Sequence, residues 1–398
     1  MHHDVIVGGA GVVGLSTALH LGRRTDLDVA VVEKEHHLAS HQSGRNSGVL
    51  HPGFNYEPGS TKARFATEGT ARMKAYCRDH GIPLREFGVV VSALDDEEER
   101  RLQTLKDQAD ANGTETEIID GDELHEHEPH ARGQAALYAP EAASVDFQQY
   151  VYQLARDAQS EGVALYTGTE VTTLRRDDGG YRVGTDHGPL QADFVVNAAG
   201  LYADELAAQV GVGEEYQIVP FRGEYYELVP DRRDLVNTMV YPTPDPELPF
   251  LGVHYTRRTD DKVIIGPNAV LAFGREAYEN TDVDLGELAD TVQYEGLWKL
   301  LASPKMIGVA VDELQKSYRK EKFAEAARRL VPEVRADDIV KSYAGIRAQI
   351  VRDDGTLVKD PLFVEDDDAI HVLNAVSPGL TASLPFGDHL AERVEDAY

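Results

Sequence analysis

The chain lacks three features: paired cysteines, an excess of positive charge and a long apolar run. Cys77 is the only cysteine among 398 residues, which excludes an intramolecular disulfide and argues against a cysteine-based metal site. The 39 basic residues are outnumbered by 69 acidic ones, which argues against nucleic acid as a partner because phosphate binding needs clustered Lys and Arg. The sequence shows neither a secretory signal nor an uninterrupted apolar stretch of about 18 residues. We therefore predict a cytoplasmic protein without a transmembrane segment; peripheral contact with the inner face of a membrane stays open.

The acidic excess gives the chain a net charge of −30. Acidic runs such as residues 95–99 and 365–368 are typical of a solvated surface. So large an excess resembles acidic proteomes of salt-rich cytoplasms, where salt screens the repulsion between like charges. We therefore favour a halophilic adaptation over an acidic surface built for one partner.

Length and element pattern predict two interleaved domains. A chain of 398 residues exceeds what one hydrophobic core usually holds. Residues 4–7, 12–21 and 29–32 follow the pattern of strand, helix and strand, which is one βαβ unit. The second half alternates strand-like stretches with prolines, which indicates an antiparallel sheet, beside predicted helices at residues 286–301 and 311–330. The predicted fold class is α/β, with α+β character in the second domain.

A dinucleotide-binding turn joins the first strand to the first helix. Gly9, Gly11 and Gly14 match the pattern G-x-G-x-x-G, and Glu33 ends the next strand. Such glycines allow a tight turn, close approach of the backbone to a pyrophosphate, and close packing of the helix on the sheet. The N-terminus of the helix favours phosphate, and Glu33 can accept hydrogen bonds from both ribose hydroxyls. An acid there disfavours NADP, but the fingerprint alone does not separate FAD from NAD.

Two further glycine-rich segments favour FAD. Residues 40–48 (SHQSGRNSG) could bring backbone donors and Arg45 close to a second phosphate and the edge of an isoalloxazine. Residues 377–381 (SPGLT) precede a helical stretch near the C-terminus, where Gly379 could face the flavin. Three such segments spread over the chain suit a long cofactor that lies extended through the protein.

These segments resemble the D-amino-acid oxidase superfamily of FAD enzymes, and within it the L-2-hydroxyglutarate dehydrogenase/oxidase family. The resemblance covers nearly the full length. It is carried by residues 9–14, Glu33, 45–48, 51–56 (HPGFNY), 197–200 (NAAG), 220–226 (PFRGEYY), 249–257 (PFLGVHYTR), 266–269 (GPNA), 342–347 (SYAGIR) and 374–385.

The resemblance implies FAD-dependent oxidation of L-2-hydroxyglutarate to 2-oxoglutarate by hydride transfer to flavin N5. Some relatives attach FAD through a histidine just before the glycine that corresponds to Gly48. Residues 45–47 contain none, so we expect non-covalent FAD. The expected FAD contacts are Gly9, Gly11, Val13, Gly14, Glu33, Lys34, Ser43, Arg45, Asn46, Ser47, Gly48, Val171, Ala199, Gly200, Gly379, Leu380 and Thr381.

The expected architecture is a Rossmann-type FAD-binding domain interleaved with an antiparallel-sheet substrate domain. The FAD-binding domain is predicted to comprise residues 1–80, 145–215 and 343–398. The substrate domain is predicted to comprise residues 81–144 and 216–342.

Oxidation of a 2-hydroxy acid needs a proton acceptor for the hydroxyl group and cations for the carboxylates. Histidine titrates near working pH, and arginine offers a bidentate fork. By resemblance, Arg347 reaches the substrate carboxylate over the flavin. His51 follows the second FAD segment, and His254 lies in the predicted substrate sheet. We predict all three as catalytic residues and favour His51 as the base.

Four further residues are predicted to bind substrate: Arg222, Tyr226, Tyr255 and Arg257. Side chains alternate along a strand, so His254 and Tyr255 point to opposite faces and not all members of this segment can reach one ligand. His125, His127 and His130 lie among acids, and we favour an exposed acidic stretch there over a metal site.

Two other functions stay open. An amino-acid or amine oxidase of the same superfamily would favour an aromatic cage and fewer cations. A non-catalytic flavin-binding protein would keep the FAD segments without the set Arg347, His51 and His254. Three electron acceptors also stay open, namely oxygen, a quinone and an electron-transfer protein, as does the oligomeric state.

Overall fold

The computed structural model describes residues 1–177, 179–246, 251–302, 304–375 and 378–398. Pro249, Phe250 and Ser377, which belong to stretches singled out in the sequence, lie outside the described residues. Among the residues that are described, no helix combines the length and apolar character needed to cross a membrane.

Strands are numbered along the chain. They are β1 (His2–Gly8), β2 (Val29–Glu33), β3 (Val49–Leu50), β4 (Leu84–Arg85), β5 (Val89–Ala93), β6 (Glu117–Asp120), β7 (Ala135–Ala139), β8 (Ala143–Val145), β9 (Ala164–Thr167), β10 (Val171–Asp177), β11 (Gly180–Thr185), β12 (Leu190–Asn197), β13 (Tyr216–Leu228), β14 (Met239–Pro242), β15 (His254–Arg257), β16 (Val263–Gly266), β17 (Val270–Leu271), β18 (Ile339–Arg352), β19 (Leu362–Asp366) and β20 (Ala369–Asn374).

Helices are numbered in the same way. They are α1 (Val12–Arg24), α2 (Thr61–Asp79), α3 (Asp96–Ala111), α4 (Gly121–His127), α5 (Phe147–Ser160), α6 (Ala203–Ala208), α7 (Leu285–Gln293), α8 (Glu295–Leu301), α9 (Pro304–Tyr318), α10 (Lys320–Arg328) and α11 (Ser383–Ala397). Short 3₁₀ helices lie at Gly200–Tyr202, Pro230–Leu235 and Ala336–Asp338.

The first sheet is mixed, with a parallel centre of the kind that binds nucleotides. Strands β9, β2, β1 and β12 lie side by side in parallel. The other edge of β12 pairs with β20 in parallel and with β11 in antiparallel orientation. Helix α1 contacts both α5 and α11, and its apolar positions Leu15, Ala18 and Leu19 are buried against β1 and β2. The carboxyl ends of β1 and β12 therefore meet at one edge, where ligands of such sheets bind.

The second sheet is mostly antiparallel and provides the surface that faces the first. Its order is β17-β13-β16-β15-β14-β5-β7-β6, and β18 pairs with β13 along almost its whole length. One side packs on α10 through Phe323, Ala324 and Ala327, all buried. A short sheet of β3, β8 and β4 links the two larger ones. The other side of the second sheet is turned toward residues 45–48.

The structure refines two predictions. The helix predicted at residues 311–330 is divided between α9 and α10, because Arg319 is extended at φ −129° and ψ 100°. Strand β18 runs across the boundary predicted at residue 343, since its pairing with β13 continues from Ile339 to Arg352. All the predicted domain boundaries, including the one at residue 343, stay predictions.

The acidic run at residues 95–99 is more than a solvated surface. The Asp95 side chain caps α3 by accepting from the backbone N–H groups of Glu97 and Glu98. Four acids then occupy the first turn, where the helix dipole favours negative charge. Glu98 itself is buried, accepts from the Leu94 N–H at 2.8 Å and pairs with Arg329. Part of the negative charge thus stabilises local structure.

Candidate active site

The glycine turn after β1 brings three backbone segments into contact. Gly9 has φ +104°, and a Cβ there would lie 2.5 Å from the Ala198 carbonyl oxygen. A Cβ at Gly14 would lie 2.0 Å from the Gly9 carbonyl oxygen. Neither position could hold a larger residue without moving the backbone. The close approach places Ala199 and Gly200, which follow β12, beside the N-terminus of α1, whose first turn contains Val13.

The acid that ends β2 is held against the same turn. The Glu33 carboxylate accepts from the Ala10 N–H at 2.8 Å and from the Glu35 N–H at 2.9 Å. The Glu33 carbonyl oxygen accepts from the Thr169 N–H at 2.8 Å, and Val171 begins β10 just beyond. Glu33 therefore lies beside the position that the ribose of a nucleotide would take on the glycine turn. Lys34, by contrast, donates to Glu35 and Glu276, both at 2.5 Å, so its charge is matched by protein carboxylates.

Residues 40–48 lie against the N-terminus of α1. The Ser43 hydroxyl accepts from the Val12 N–H at 3.0 Å. The Asn46 side-chain amide donates to the carbonyls of Gln42 and Ser43 and accepts from the Gly48 N–H, so it holds the turn that contains Ser47. The Arg45 guanidinium lies 4.0 Å from the centre of the Tyr278 ring, and its Nε donates to the Ser40 carbonyl at 2.8 Å. Arg45 therefore also shapes this segment.

The third segment joins the second through Thr381. The buried Thr381 hydroxyl donates to the Val49 carbonyl and accepts from the His51 N–H, both at 3.3 Å. Gly379 and Leu380 form the turn that precedes α11. Residues 9–14, 40–48 and 378–381, hereafter the FAD segments, thus form one continuous cradle of small residues and helix N-termini. This cradle fits an extended dinucleotide with a flavin toward residues 48–51.

Two histidines, the half-buried His51 and the buried His254, both lie close to Tyr241, next to the FAD segments. The ring centres of His51 and Tyr241 are 5.9 Å apart, and those of Tyr241 and His254 are 4.3 Å apart. The His51 backbone is fixed by Thr381 and by the Thr70 hydroxyl, which donates to its carbonyl at 2.9 Å. The Tyr241 ring therefore holds the two imidazoles in one group.

The protonation state of His254 follows from one hydrogen bond. Its Nδ1 lies 2.9 Å from the Gly252 carbonyl oxygen, which can only accept, so Nδ1 carries the proton. Burial is the main cause that lowers the pKa of His254 to about 3, and the charges of His51 and Arg347 act in the same direction. Burial and the Lys62 charge lower the pKa of His51 to about 4. Both imidazoles are therefore neutral near pH 7, with Nε2 of His254 able to accept a proton.

Arg347 reaches the same group from β18. It pairs in register with Phe221 of β13, so both side chains leave the same side of the sheet. Two residues earlier, Gly345 lies so close to the second FAD segment that a Cβ would be 2.1 Å from the Arg45 carbonyl oxygen. Burial lowers the pKa of Arg347 from its ordinary value, yet a guanidinium keeps its proton in proteins. A half-buried cation thus lies close enough for its charge to act on His254.

A pair of tyrosines completes this side of the sheet. Tyr225 and Tyr343 stack with ring centres 4.8 Å apart, and the Tyr343 hydroxyl donates to the Asn46 carbonyl at 2.7 Å. We call this side the site face; it carries Tyr225, Tyr241, His254, Tyr343 and Arg347.

The structure places the four predicted substrate-binding residues on the opposite side, hereafter the helix face. The Tyr226 ring contacts Phe323 of α10 at 4.4 Å between centres, and the Tyr255 hydroxyl donates to the Ala327 carbonyl at 2.9 Å. Arg222 pairs in register with Ile346, one residue away from Arg347, and therefore points the other way.

Both helix-face arginines are bound by protein acceptors. Arg222 donates to the carbonyls of Ala277 and Glu279 and pairs with Glu224. Arg257 donates to the carbonyls of Arg233 and Val236, at 3.2 and 2.8 Å. Polar atoms of Arg222, Tyr255 and Arg257 thus bind protein carbonyls on the helix face. The role of these residues and of Tyr226 in substrate binding stays a prediction.

Three residues of this region escaped the sequence analysis. Tyr241 lies in a strand that carries no motif. Arg258 is the residue directly after β15, and its guanidinium lies 5.0 Å from the centre of the Phe147 ring. Lys62 lies in the first turn of α2, and its Nζ lies 5.0 Å from the centre of the Tyr56 ring. The sequence pointed to Lys62 only in that it lies a few residues after residues 51–56 in the chain.

The histidines near α4 have separate partners. The His127 ring stacks on Tyr138 with centres 4.1 Å apart. His130 lies 3.0 Å from a Glu333 carboxylate oxygen. These two imidazoles are therefore engaged in local contacts.

Comparisons with known proteins agree with this geometry. A family model described as FAD dependent oxidoreductase matches residues 4–393. The L-2-hydroxyglutarate dehydrogenase of Indibacter alkaliphilus is 38% identical over 396 residues, covering 98% of both chains. The enzyme of that name from Escherichia coli K12 is 36% identical over 395 residues, covering 99% of this chain and 93% of its own.

Solved structures share the fold. The L-alpha-glycerophosphate oxidase of Mycoplasma pneumoniae with FAD bound superimposes with a TM-score of 0.78 at 24% identity, covering 100% of this chain and 95% of that one. Glycine oxidase from Geobacillus kaustophilus gives a TM-score of 0.72 at 23% identity, covering 98% and 95%. At such identities the likeness concerns the fold alone.

Proposed function

Because the chain belongs to the FAD-dependent oxidoreductase family, and within it to the L-2-hydroxyglutarate dehydrogenases, we propose that it oxidises L-2-hydroxyglutarate to 2-oxoglutarate. The observation that carries the proposal is the identity of 38% to an L-2-hydroxyglutarate dehydrogenase over 98% of both chains. The site face adds a chemical reason. It combines a half-buried arginine with two neutral histidines beside the FAD segments.

FAD is the cofactor, and the three FAD segments are proposed to hold it. Glu33 binds the adenosine ribose, the N-terminus of α1 faces the pyrophosphate, and residues 45–51 lie along the flavin. When bound, FAD supplies an acceptor for the hydride from C2 of the substrate. Since residues 45–47 contain no histidine, the attachment is proposed to be non-covalent.

Arg347 is proposed to orient the substrate. A guanidinium donates two parallel N–H groups to a carboxylate, which fixes the direction of the carboxylate plane as well as its distance. The β-pairing of Arg347 with Phe221 and the nearby contact of Gly345 with Arg45 make its position rigid relative to the flavin segment. A C1 carboxylate held there would present C2 to the flavin in one orientation.

His254 is proposed as the base that removes the hydroxyl proton, in preference to His51. Its Nδ1–H is fixed on the Gly252 carbonyl, so Nε2 keeps the lone pair directed away from that loop. The low pKa of the free imidazole keeps it neutral and ready to accept. The negative charge of a bound dicarboxylate would raise that pKa toward the working range. His51, whose ring centre lies 5.9 Å from that of Tyr241, is then proposed as a neutral neighbour that positions the substrate.

We further propose a cytoplasmic, salt-adapted protein. The net charge of −30 supports salt adaptation, because screening relieves repulsion among exposed acids. Access to the reduced flavin would decide the electron acceptor, whether oxygen, a quinone or an electron-transfer protein. Peripheral contact with a membrane is a separate question.

The decisive experiment is anaerobic reduction of the purified yellow protein. L-2-hydroxyglutarate should bleach the flavin absorbance, whereas D-2-hydroxyglutarate and glycine should leave it unchanged. Denaturation should then release free FAD into the supernatant. Bleaching by glycine would favour an amine oxidase, and no bleaching by any of the three would favour a flavin-binding protein without this catalysis. Colour that stays with the precipitate would contradict non-covalent attachment.

A further inference from the structure

We propose that the loop at residues 274–280, hereafter the clasp, holds the second FAD segment closed over the cofactor and slows the release of FAD. The clasp follows β17 of the second sheet, yet its side chains Glu276 and Tyr278 contact residues that border the FAD segments. The inference rests on FAD as the cofactor and on its non-covalent attachment, and it does not depend on which substrate is oxidised. Release of FAD can therefore test it apart from turnover.

The clasp is fixed at its base by two buried arginines. The Arg275 guanidinium donates to both carboxylate oxygens of Asp204 in α6, at 2.7 and 3.0 Å, and both side chains are buried. Arg222 of β13 donates to the carbonyls of Ala277 and Glu279, at 3.2 and 3.0 Å. A bidentate ion pair fixes direction as well as distance. Positions 276 and 278 alternate with these anchors, so their side chains project from a rigid support.

Glu276 joins two chain segments that border the predicted nucleotide site. Its carboxylate lies 2.5 Å from the ammonium of Lys34, which follows β2, and accepts at 2.8 Å from the hydroxyl of Tyr202, in the 3₁₀ helix after β12. Glu35, His41 and Glu276 lie close enough together to hold a metal ion, but the Lys34 ammonium already lies 2.5 Å from both carboxylates. Lys34 therefore supplies the positive charge and links the clasp to the end of β2.

Tyr278 holds the second FAD segment through two contacts. Its hydroxyl lies 2.6 Å from Nδ1 of His41, and Nε2 of His41 lies 2.9 Å from a Glu35 carboxylate oxygen. An ionised carboxylate only accepts, so Nε2 carries the proton and Nδ1 accepts from the Tyr278 hydroxyl. The second contact is made by the Arg45 guanidinium, which lies 4.0 Å from the centre of the Tyr278 ring. The clasp thereby fixes the segment at residues 41 and 45.

These two contacts enclose the part of the segment that lies against α1. Between His41 and Arg45 lies Ser43, whose hydroxyl accepts from the Val12 N–H at the N-terminus of α1, at 3.0 Å. Release of FAD from between this segment and α1 requires the segment to move away from α1. That movement breaks the hydrogen bond and the cation–π contact of Tyr278. Because the same contacts order the segment before FAD binds, they also reduce the conformational entropy lost on binding.

The test measures release of FAD from the loaded enzyme after dilution, through the fluorescence of free FAD and well below the melting temperature. In Tyr278→Phe, which loses the hydrogen bond to His41 but keeps the ring contact with Arg45, the dissociation rate should rise about 3- to 10-fold. In Tyr278→Ala, which loses both contacts, it should rise roughly 10- to 100-fold. The matched control is Glu279→Gln, which removes an exposed ion pair with Lys341 from the same loop and should keep the wild-type rate.

Two further readouts separate a clasp from a general loss of stability. With FAD in excess, the rate of flavin reduction in Tyr278→Phe should stay within about twofold of the wild type. The double variant His41→Leu/Tyr278→Phe should release FAD about as fast as His41→Leu alone, because that single variant has already lost the hydrogen bond from Tyr278.

Three results would overturn the clasp: a wild-type dissociation rate in Tyr278→Ala, additive effects in the double variant, or equal acceleration in Glu279→Gln. Flavin that stays with the denatured protein would also overturn it, because a covalent link would then retain the cofactor. Failure of L-2-hydroxyglutarate to reduce the flavin would contradict the proposed function alone, since the rates of FAD release are measured without substrate.

Discussion

The two faces of the antiparallel sheet carry similar residues but use them differently. On the helix face, Arg222 donates to backbone carbonyls and Tyr255 donates to the Ala327 carbonyl, so protein atoms satisfy them. On the site face, His254 uses one nitrogen on Gly252 and keeps the other available, and Arg347 lies in the same group. Both faces are buried, so burial alone does not distinguish them.

The difference lies in what each face packs against. The helix face meets α10 and the loop at residues 277–280, which offer carbonyl groups as permanent acceptors. The site face meets the FAD segments, where Gly345 approaches the Arg45 backbone. Polar groups on the helix face therefore bind protein acceptors, whereas those on the site face are proposed to act on a ligand. Substitutions on the helix face should therefore lower stability, and substitutions on the site face should lower the catalytic rate.

The largest effect is expected from His254→Asn. Asparagine can keep the hydrogen bond to the Gly252 carbonyl but cannot accept a proton, so the rate of flavin reduction should fall about 10²- to 10⁴-fold while FAD stays bound. Stopped-flow reduction by L-2-hydroxyglutarate would measure it. His51→Asn is the control on the other side of Tyr241 and should mainly raise KM. Loss of the rate in His51→Asn with normal rates in His254→Asn would make His51 the base.

The same histidine gives a pH dependence with a defined sign. Burial lowers the pKa of His254 in the folded protein to about 3, below its ordinary value of 6.5. The unfolded chain therefore binds a proton first as the pH falls below 6.5, and stability is present above that pH and lost as the pH falls toward the folded value. The melting temperature should fall less on acidification in His254→Asn than in the wild type. An identical fall would mean that His254 is not buried as a neutral base.

A smaller effect is expected from Arg347→Lys. Lysine keeps the charge but loses the two parallel donors, so flavin reduction should slow on the order of 100-fold with little change in melting temperature. Arg222→Lys, on the helix face, is the matched substitution. It should lower the melting temperature, because carbonyls of residues 277 and 279 lose donors, while the folded protein keeps its kinetics. If both variants lost activity and stability alike, the division between the two faces would not hold.

The smallest effect on the site is expected from salt. At 1 M KCl the Debye length is about 3 Å, so exposed acids are screened while buried groups of both faces are not. Melting temperature should rise between low and molar KCl because the net charge is −30. The ratio of wild-type to Arg347→Lys rates should stay constant. A melting temperature that does not change with KCl would count against salt adaptation, and a ratio that changes would mean that Arg347 acts from an exposed position.

The predicted nucleotide half of the site follows from local sequence patterns. The turn of Gly9, Gly11 and Gly14 and the acid Glu33 lie within one contiguous βαβ unit, so their spacing in the sequence defines their geometry. In the structure the Glu33 carboxylate accepts from the Ala10 N–H of the glycine turn, and its contact with a ribose stays a prediction. The substrate half was harder, because β13, β15 and β18 come from distant parts of the chain and offer side chains to two faces.

The sequence by itself determined the family, the cofactor and the alternation that separates His254 from Tyr255, because these depend on contiguous residues and on the period of a strand. Only the tertiary structure decided which face meets the FAD segments. The one-residue offset that pairs Phe221 with Arg347 sends Arg222 the other way, and the packing of α10 occupies that side. It also brought Lys62 next to Tyr56, a juxtaposition that no helical pattern encodes. Strand register and helix packing, which arise from contacts between distant segments, determined where these side chains lie.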